Sequence, residues 1–136
     1  MENVEIVRRL FEAFGEGMER GDPGAWFDSN EVVDDLEWIG IPGVGLGTYR
    51  GREEFVEFMR VWTDDFEDWA IDMEQVVDAG DDRVVTVFRQ TATGVGSGVP
   101  VELVQGAVNE LEGGRLIRVR HYARPAEALE AAGLSE

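Results

Sequence analysis

The spacing of apolar residues changes part-way along this 136-residue chain, and that change limits the folds it can adopt. In the first half they recur mainly at three- and four-residue steps, which is typical of helices that bury one face. From Trp69 to Tyr122 they alternate, as in strands with one buried face. The pattern predicts one α+β domain over residues 1–136, with helices packed on one face of an antiparallel sheet.

The first half of the chain predicts three helices and a strand. A first helix over about residues 1–20 has an apolar stripe and ends at glycines, and Asp22-Pro23 begins a short second helix. The strand Val32–Ile39 follows, and the glycine-rich segment Gly40–Gly47 is expected to be a loop. Residues 48–51 lead into a third helix, whose apolar stripe is Phe55, Met59, Trp62 and Phe66.

Four consecutive strands and a short helix are predicted in the second half. Glycines mark the turns between strands, and residues 112–114 (Glu-Gly-Gly) form a tight hairpin signal. The strands span Trp69–Val77, Arg83–Thr93, Val99–Leu111 and Leu116–Tyr122, and the helix spans Ala126–Ala132. We expect the sheet to curve around the helices so that both apolar stripes are buried, which leaves a cavity at its mouth.

The inventory of reactive side chains is short, because the chain has no cysteine, no lysine and one histidine, His121. Thiol chemistry needs cysteine, and Schiff-base chemistry needs lysine. One histidine cannot supply a zinc site built on two or three. Acid–base chemistry by His121, carboxylates and tyrosines remains, or no chemistry at all, so we expect neither a metal nor a cofactor.

The formal charge of −17 limits the partners, and all 12 basic residues are arginine. An acidic surface repels phosphate backbones and anionic membranes, so we expect no nucleic acid and no membrane partner. The longest uncharged stretches contain glycines and prolines, and the first residues lack the basic start and apolar run of a secretory signal. These features predict a cytoplasmic protein.

Two segments and the element order carry a resemblance to a known family. Residues 49–53 (Tyr-Arg-Gly-Arg-Glu) open the third helix, and residues 114–120 (Gly-Arg-Leu-Ile-Arg-Val-Arg) lie in the last strand. From Val4 to Tyr122 the chain resembles the nuclear transport factor 2-like superfamily, and within it the SnoaL-like group of polyketide cyclases and ketosteroid isomerase relatives. The resemblance implies a cone-shaped, mostly antiparallel sheet wrapped around the N-terminal helices, with a deep hydrophobic pocket.

The same resemblance implies a homodimer formed through the outer face of the sheet. Its members often pair in this way, and an apolar outer row that includes Val104 and Val108 is compatible with such a contact.

The functional residues of the family carry over only in part. The polar groups of ketosteroid isomerase correspond here to Phe14, Gly40 and about Ala107, which argues against isomerisation by that mechanism. The Arg-x-Asp motif of limonene epoxide hydrolases is similar to Arg89-Gln90-Thr91, which lacks the carboxylate. SnoaL-type cyclases have an aspartate base on the last strand, where this chain has His121.

His121 is the first catalytic candidate. It shares a strand face with Ile117 and Val119, so we expect it to point into the cavity. A neutral imidazole whose pKa is lowered by burial can accept a proton at pH 7, for example from an acidic C–H between two carbonyls. The alternative is a histidine at the cavity rim that is satisfied by a backbone carbonyl or water.

Two further catalytic candidates and one acid have open orientations. Arg89 is in phase with Val85 and Val87; it either faces inward to polarise a carbonyl or faces outward and pairs with an acid. Tyr49 either donates a hydrogen bond at the mouth or anchors the loop. Glu37 would orient His121 if its strand face were inward, but the apolar residues beside it favour a surface position.

Four more residues are candidates for ligand binding: Trp38, Trp62, Gln105 and Phe14. Trp38 and Trp62 would shape the cavity, and Trp62 is either a core residue or also stacks on a planar ligand. Gln105 would supply a polar contact. The sequence predicts a small-molecule enzyme of SnoaL-like type, acting as cyclase, isomerase or lyase on an apolar, polyketide- or steroid-like carbonyl compound. The alternative is a non-catalytic ligand-binding or dimerisation module of the same fold, which the missing family carboxylates favour.

Overall fold

Three α-helices and six β-strands make up residues 2–41 and 47–134, the part of the chain that the computed structural model describes. The helices are α1 (Glu2–Glu19), α2 (Gly51–Asp64) and α3 (Pro125–Ala131), and a single 3₁₀ turn spans Ala25–Asp28. The strands are β1 (Val32–Ile39), β2 (Thr48–Arg50), β3 (Phe66–Gly80), β4 (Arg83–Gly94), β5 (Pro100–Glu112) and β6 (Arg115–Tyr122). The predicted α+β class is confirmed.

All six strands form one sheet in the order β2-β1-β6-β5-β4-β3. Every neighbouring pair is antiparallel except β1 and β6, which run parallel. Inner-face side chains from five of the strands line one common cavity, so the sheet curves around it. The expected curved, mostly antiparallel sheet is therefore confirmed.

Helices α1 and α2 fill the concave side of the sheet. Their apolar residues lie three and four positions apart, so each helix presents one buried stripe to the inner face of the sheet. The buried residues of α1 include Ile6, Val7, Leu10 and Phe14, and those of α2 are Phe55 and Met59. No helix among the described residues is both long and apolar enough to cross a membrane.

Helix α3 packs on the opposite, outer face, so the expectation that all helices share one face is wrong for this element. Its Ala128 is fully buried against the outer side of β5, where a Cβ at Gly106 would lie 2.8 Å from the Cβ of Ala128. Val108 of β5 and Val85 of β4 join this second core. Val108 is only 5% exposed, so it does not offer the outer apolar contact predicted for a dimer.

Some predicted boundaries also change. Residues 48–50, expected to lead into a helix, form the short strand β2, because they pair with residues 37–39 of β1. Phe66 begins β3 rather than completing the stripe of α2, which ends at Asp64. The second helix is only a 3₁₀ turn. Most of the predicted Gly40–Gly47 loop, from residue 42 to residue 46, lies outside the described residues.

Candidate functional site

A large cavity lies between helices α1 and α2 and the concave face of the sheet. The space within it and at its open mouth amounts to about 940 Å³. Its lining is mostly apolar and aromatic. The predicted ligand-binding residues Phe14, Trp38, Trp62 and Gln105 all belong to it.

Aromatic rings form much of the wall. Trp38 is central: its ring centroid lies 4.2 Å from that of His121, 4.8 Å from that of Phe55 and 6.3 Å from that of Trp26. The indole nitrogen of Trp26 is buried and has no hydrogen-bond partner among the described residues. The wall can therefore stack on a planar ligand, and it holds one unused N–H donor.

The last strand places His121 in this cavity, directly across from Ala107 of β5. The inward face of β6 was predicted to carry Ile117, but Leu116 lines the cavity instead. The reason is a shift of register between β5 and β6, where Glu110 pairs with Arg118 and Leu111 with Leu116. This irregularity leaves Ile117 of β6 without a partner in β5. The alternation of inward and outward side chains along β6 therefore shifts by one residue at this point.

A backbone carbonyl determines the tautomer of His121. Its Nδ1 lies 2.8 Å from the carbonyl oxygen of Ile39, at the end of β1. A carbonyl oxygen can only accept, so Nδ1 carries the hydrogen and donates it. Nε2 therefore holds a free lone pair, and no described residue is hydrogen-bonded to it.

Burial lowers the pKa of His121 from its usual 6.5 to about 4. Removal of the imidazole from water disfavours the charged form, and the hydrogen bond to Ile39 opposes this effect only in part. The ring centroids of Trp38 and Phe88 lie 4.2 Å and 6.1 Å from that of His121. At neutral pH His121 is thus an uncharged base.

A row of amide side chains forms the polar part of the lining. Trp69 donates from Nε1 to Gln90 Oε1 over 3.0 Å, and Gln90 donates from Nε2 to Gln105 Oε1 over 2.6 Å. On the neighbouring part of the floor, Asn109 donates to the hydroxyl of Thr86 over 3.2 Å and to the carbonyl of Val84 over 3.0 Å.

Sequence reasoning missed most of these groups. Thr86 and Gln90 lie on the inner face of β4, whereas an inward Arg89 would have placed both of them on the outer face. The usable signal was the alternation of polar residues along β5, where Gln105 and Asn109 share a face with Ala107.

Of the two orientations considered for Arg89, the structure shows the outward one, so its candidate catalytic role is wrong. Arg89 lies on the outer face of β4 and pairs with Glu74 of β3 and Glu102 of β5, each at 2.8 Å. Its phase with Val85 was misleading because Val85 is buried on the outside, under α3. An apolar residue in β4 therefore does not mark the cavity side.

Glu37 and Tyr49 also lie outside the cavity lining. The carboxylate of Glu37 accepts from Arg118 over 2.6 Å and from Arg50 over 3.1 Å. The hydrogen bond from Arg118 is the main cause that lowers the pKa of Glu37. Tyr49 stacks on Phe58, with ring centroids 4.6 Å apart. Of the three catalytic candidates, His121 alone reaches the cavity within the described part of the chain.

The family follows from a match along most of the chain, since the model of the SnoaL-like domain matches residues 7–119. The chain belongs to the SnoaL-like domain family. No curated protein sequence matches it.

Solved structures share the fold of this SnoaL-like chain at low sequence identity. A protein of unknown function from Burkholderia pseudomallei, described as nuclear transport factor 2-like, superposes with a TM-score of 0.73 at 21% identity, over 96% of each chain. A candidate SnoaL-like polyketide cyclase from Jannaschia has a TM-score of 0.70 at 23% identity, over 88% of this chain and 83% of its own. A candidate isomerase from Bacillus subtilis has a TM-score of 0.72 at 18% identity, over 98% of this chain and 96% of its own.

The described lining of the SnoaL-like cavity contains few groups that can gain or lose a proton. The positions aligned with the polar groups of ketosteroid isomerase, Phe14, Gly40 and Ala107, all contribute to the lining. No carboxylate lines the cavity within residues 2–41 and 47–134, and these residues contain no group of three or more acids and histidines that could hold a metal ion. His121 is the one titratable side chain in the described lining.

Proposed function

We propose that this SnoaL-like protein binds a planar, apolar carbonyl compound in its cavity and that His121 removes a proton from a carbon next to the carbonyl. One observation carries the proposal: the hydrogen bond from Nδ1 to Ile39 leaves the unprotonated Nε2 of a buried, neutral imidazole in an apolar cavity. A general base needs a free lone pair within reach of the substrate, and this tautomer supplies it.

The proposed reaction needs no group from outside the chain. The C–H bond breaks, its proton moves to Nε2, and its electron pair forms an enolate. The enolate then either attacks a second carbonyl of the same molecule, which closes a ring, or takes the proton back at another carbon. In both cases the imidazolium returns its proton, so the enzyme ends as it began.

The low pKa of His121 does not prevent this chemistry. Carboxylate bases of similar strength serve in enzymes that form enolates, provided that hydrogen-bond donors stabilise the oxygen anion. It does predict an unusual pH profile. Activity that depends on neutral His121 should stay level at neutral pH and decline only as the pH approaches about 4.

Proton exchange tests the proposal without knowledge of the natural substrate. We would incubate the protein with β-tetralone, a bicyclic ketone, in deuterium oxide and follow the incorporation of deuterium next to the carbonyl by mass spectrometry. Wild type should accelerate exchange above the buffer rate. The variant His121→Asn keeps an N–H for the Ile39 carbonyl but has no basic nitrogen, so its exchange should fall by at least roughly 100-fold.

Arg89→Gln is the matched control, because Arg89 lies on the outer face of the sheet and should leave exchange unchanged. Equal exchange rates in wild type and His121→Asn would contradict a role for His121 as base. A rate that declines near pH 6.5 instead of near pH 4 would show that burial does not lower the pKa of His121.

A non-catalytic binding module is the second candidate function, and the absence of a carboxylate from the described lining favours it. In that case native mass spectrometry should show β-tetralone bound to wild type and to His121→Asn alike, with no deuterium incorporated by either protein. Binding with catalysed exchange in wild type alone supports the enzyme.

A further inference from the structure

The amide row in the cavity has a defined direction. It begins at the indole of Trp69, which can only donate a hydrogen bond. Gln90 must therefore accept this hydrogen bond with Oε1, which leaves its Nε2 to donate to Gln105. Gln105 in turn accepts with its own Oε1. One N–H group thus sets the orientation of both glutamine side chains.

The row ends in a free donor. Once Gln105 Oε1 accepts from Gln90, its Nε2 remains, and no described residue accepts a hydrogen bond from this nitrogen. Gln105 is only 9% exposed and lines the cavity. The nitrogen is not among the fully enclosed side-chain atoms that lack a partner, so it opens onto the cavity, where an acceptor from a ligand or water can reach it.

The free donor lies on the same inner face of the sheet as His121. Ala107 of β5 pairs with His121 of β6, and Gln105 is two residues along β5 on the same face. The backbones of such diagonal neighbours on paired strands are typically about 7–8 Å apart, measured between Cα atoms. The cavity therefore presents an acceptor at His121 Nε2 and a donor at Gln105 Nε2 to the two ends of a small planar molecule.

We propose that Gln105 Nε2 binds the acceptor oxygen of the ligand and that Gln90 and Trp69 are positioning residues that keep a donor at this point. Because Gln105 Nε2 is a donor, this subsite favours a ligand that presents a carbonyl or enolate oxygen there. A ligand that presents the hydrogen of a hydroxyl group or only C–H groups at this point should bind less tightly. The enolate part rests on the proposed function, because it needs proton removal by His121. Binding of a carbonyl does not depend on that step.

Removal of the indole N–H should loosen the whole row. Without it, the Gln90 amide is free to rotate by half a turn, and Gln105 then presents either its oxygen or its nitrogen to the ligand. Trp69→Phe should therefore weaken acceptor recognition, although the indole N–H is bonded to Gln90 and acts on the ligand oxygen through the two amides.

A matched pair of probes tests this subsite. Fluorenone and fluorene have the same three fused rings, and fluorenone differs by one carbonyl oxygen. Fluorenone has no hydrogen on the carbons next to its carbonyl, so its binding is independent of proton removal and of the proposed function. Affinity for both probes is measured by titration, and the C=O stretch of bound, isotope-labelled fluorenone is measured by infrared difference spectroscopy.

Wild type should bind fluorenone more tightly than fluorene, with a C=O stretch lowered by the hydrogen bond. Gln105→Met removes the donor at nearly the same length and should cost roughly five-fold in fluorenone affinity, the equivalent of one neutral hydrogen bond. Its C=O stretch should move back towards the value in an apolar solvent. Trp69→Phe should shift the band in the same direction by a smaller amount.

Fluorene affinity reports whether each variant keeps its cavity, and Gln75→Met is the control because Gln75 is exposed on β3. An unshifted C=O band in wild type would overturn the proposal. So would a lowered band that persists in Gln105→Met and disappears in Trp26→Phe, since the unpartnered Trp26 indole would then be the donor.

Discussion

At the scale of single residues, the environment of His121 decides its chemistry. The backbone carbonyl of Ile39 selects the tautomer, and burial keeps the ring neutral. A carboxylate next to the ring would have raised the pKa, but the nearest predicted acid, Glu37, is paired with Arg118 outside the cavity. His121 is thus a weak, oriented base rather than a charged one.

This burial should make stability depend on pH. The pKa of His121 is about 4 in the folded protein and near 6.5 in the unfolded chain, so the unfolded chain binds more protons between these values. The stabilisation is complete above about pH 6.5 and is lost as the pH falls towards 4. Between pH 7.5 and 4.5, wild type should lose roughly 2–3 kcal/mol from this group, as measured by urea unfolding.

Carboxylates titrate in the same range, so the comparison with His121→Asn isolates the contribution of the imidazole. The variant should have a lower free energy of unfolding at pH 7.5 but a flatter pH dependence. Parallel curves for the two proteins would show that burial does not suppress protonation of His121.

At the scale of elements, α1 shows how two identical residues in one helix differ. A Cβ added at Gly15 would have no neighbouring atom within 4 Å. A Cβ on Gly17 would overlap the carbonyl oxygen of Asp22 and lie 3.1 Å from the Cβ of Ala25. Gly17 lets the chain turn back tightly after α1, whereas Gly15 only weakens the helix.

The same substitution should therefore have opposite effects at the two positions. Gly15→Ala should stabilise the protein by about 0.5–1 kcal/mol, because alanine favours the helix and restricts the unfolded chain. Gly17→Ala should destabilise it by roughly 1–3 kcal/mol, because the Asp22 carbonyl cannot move away without loss of the turn. Thermal unfolding of both variants measures this, and equal signs would refute the difference in packing.

At the scale of the whole molecule, charge dominates. The acids exceed the bases by 17, and several arginines are already paired on the surface, including Arg9, Arg50 and Arg89. The remaining acids repel one another in the folded state more than in the unfolded chain. Salt screens this repulsion over about 10 Å at 0.1 M.

Added sodium chloride should accordingly stabilise the protein. From low salt to about 0.3 M we expect the Tm to rise by roughly 3–6 °C, equivalent to about 1 kcal/mol. Neutralisation of two exposed acids, with Asp64→Asn and Glu67→Gln together, should raise the Tm at low salt and reduce the gain from salt. A Tm that falls with salt would mean that the surface ion pairs outweigh the net repulsion.

The proposed homodimer belongs to this scale too. Helix α3 covers Val108 and the neighbouring part of the outer face, while Val104 of β5 remains half-buried beside it. Sedimentation equilibrium should show a dimer if the uncovered part of that face pairs with a second copy, and the variant Val104→Arg should then be monomeric. A wild-type monomer at high concentration would contradict the dimer.

The sequence by itself determined the α+β class, the nature of most elements, the family resemblance and the inward position of His121. It could do so because periods of 3.6 and 2 separate helices from strands, and because turns and glycines mark their ends. Only the tertiary structure decided which face of β4 is inner. Alternation shows that two faces differ, but Val85 is buried by α3 on one side and Phe88 by the cavity wall on the other. The amide orientations and the pKa of His121 were likewise out of reach, because both arise from atoms that are distant in sequence and meet only after folding.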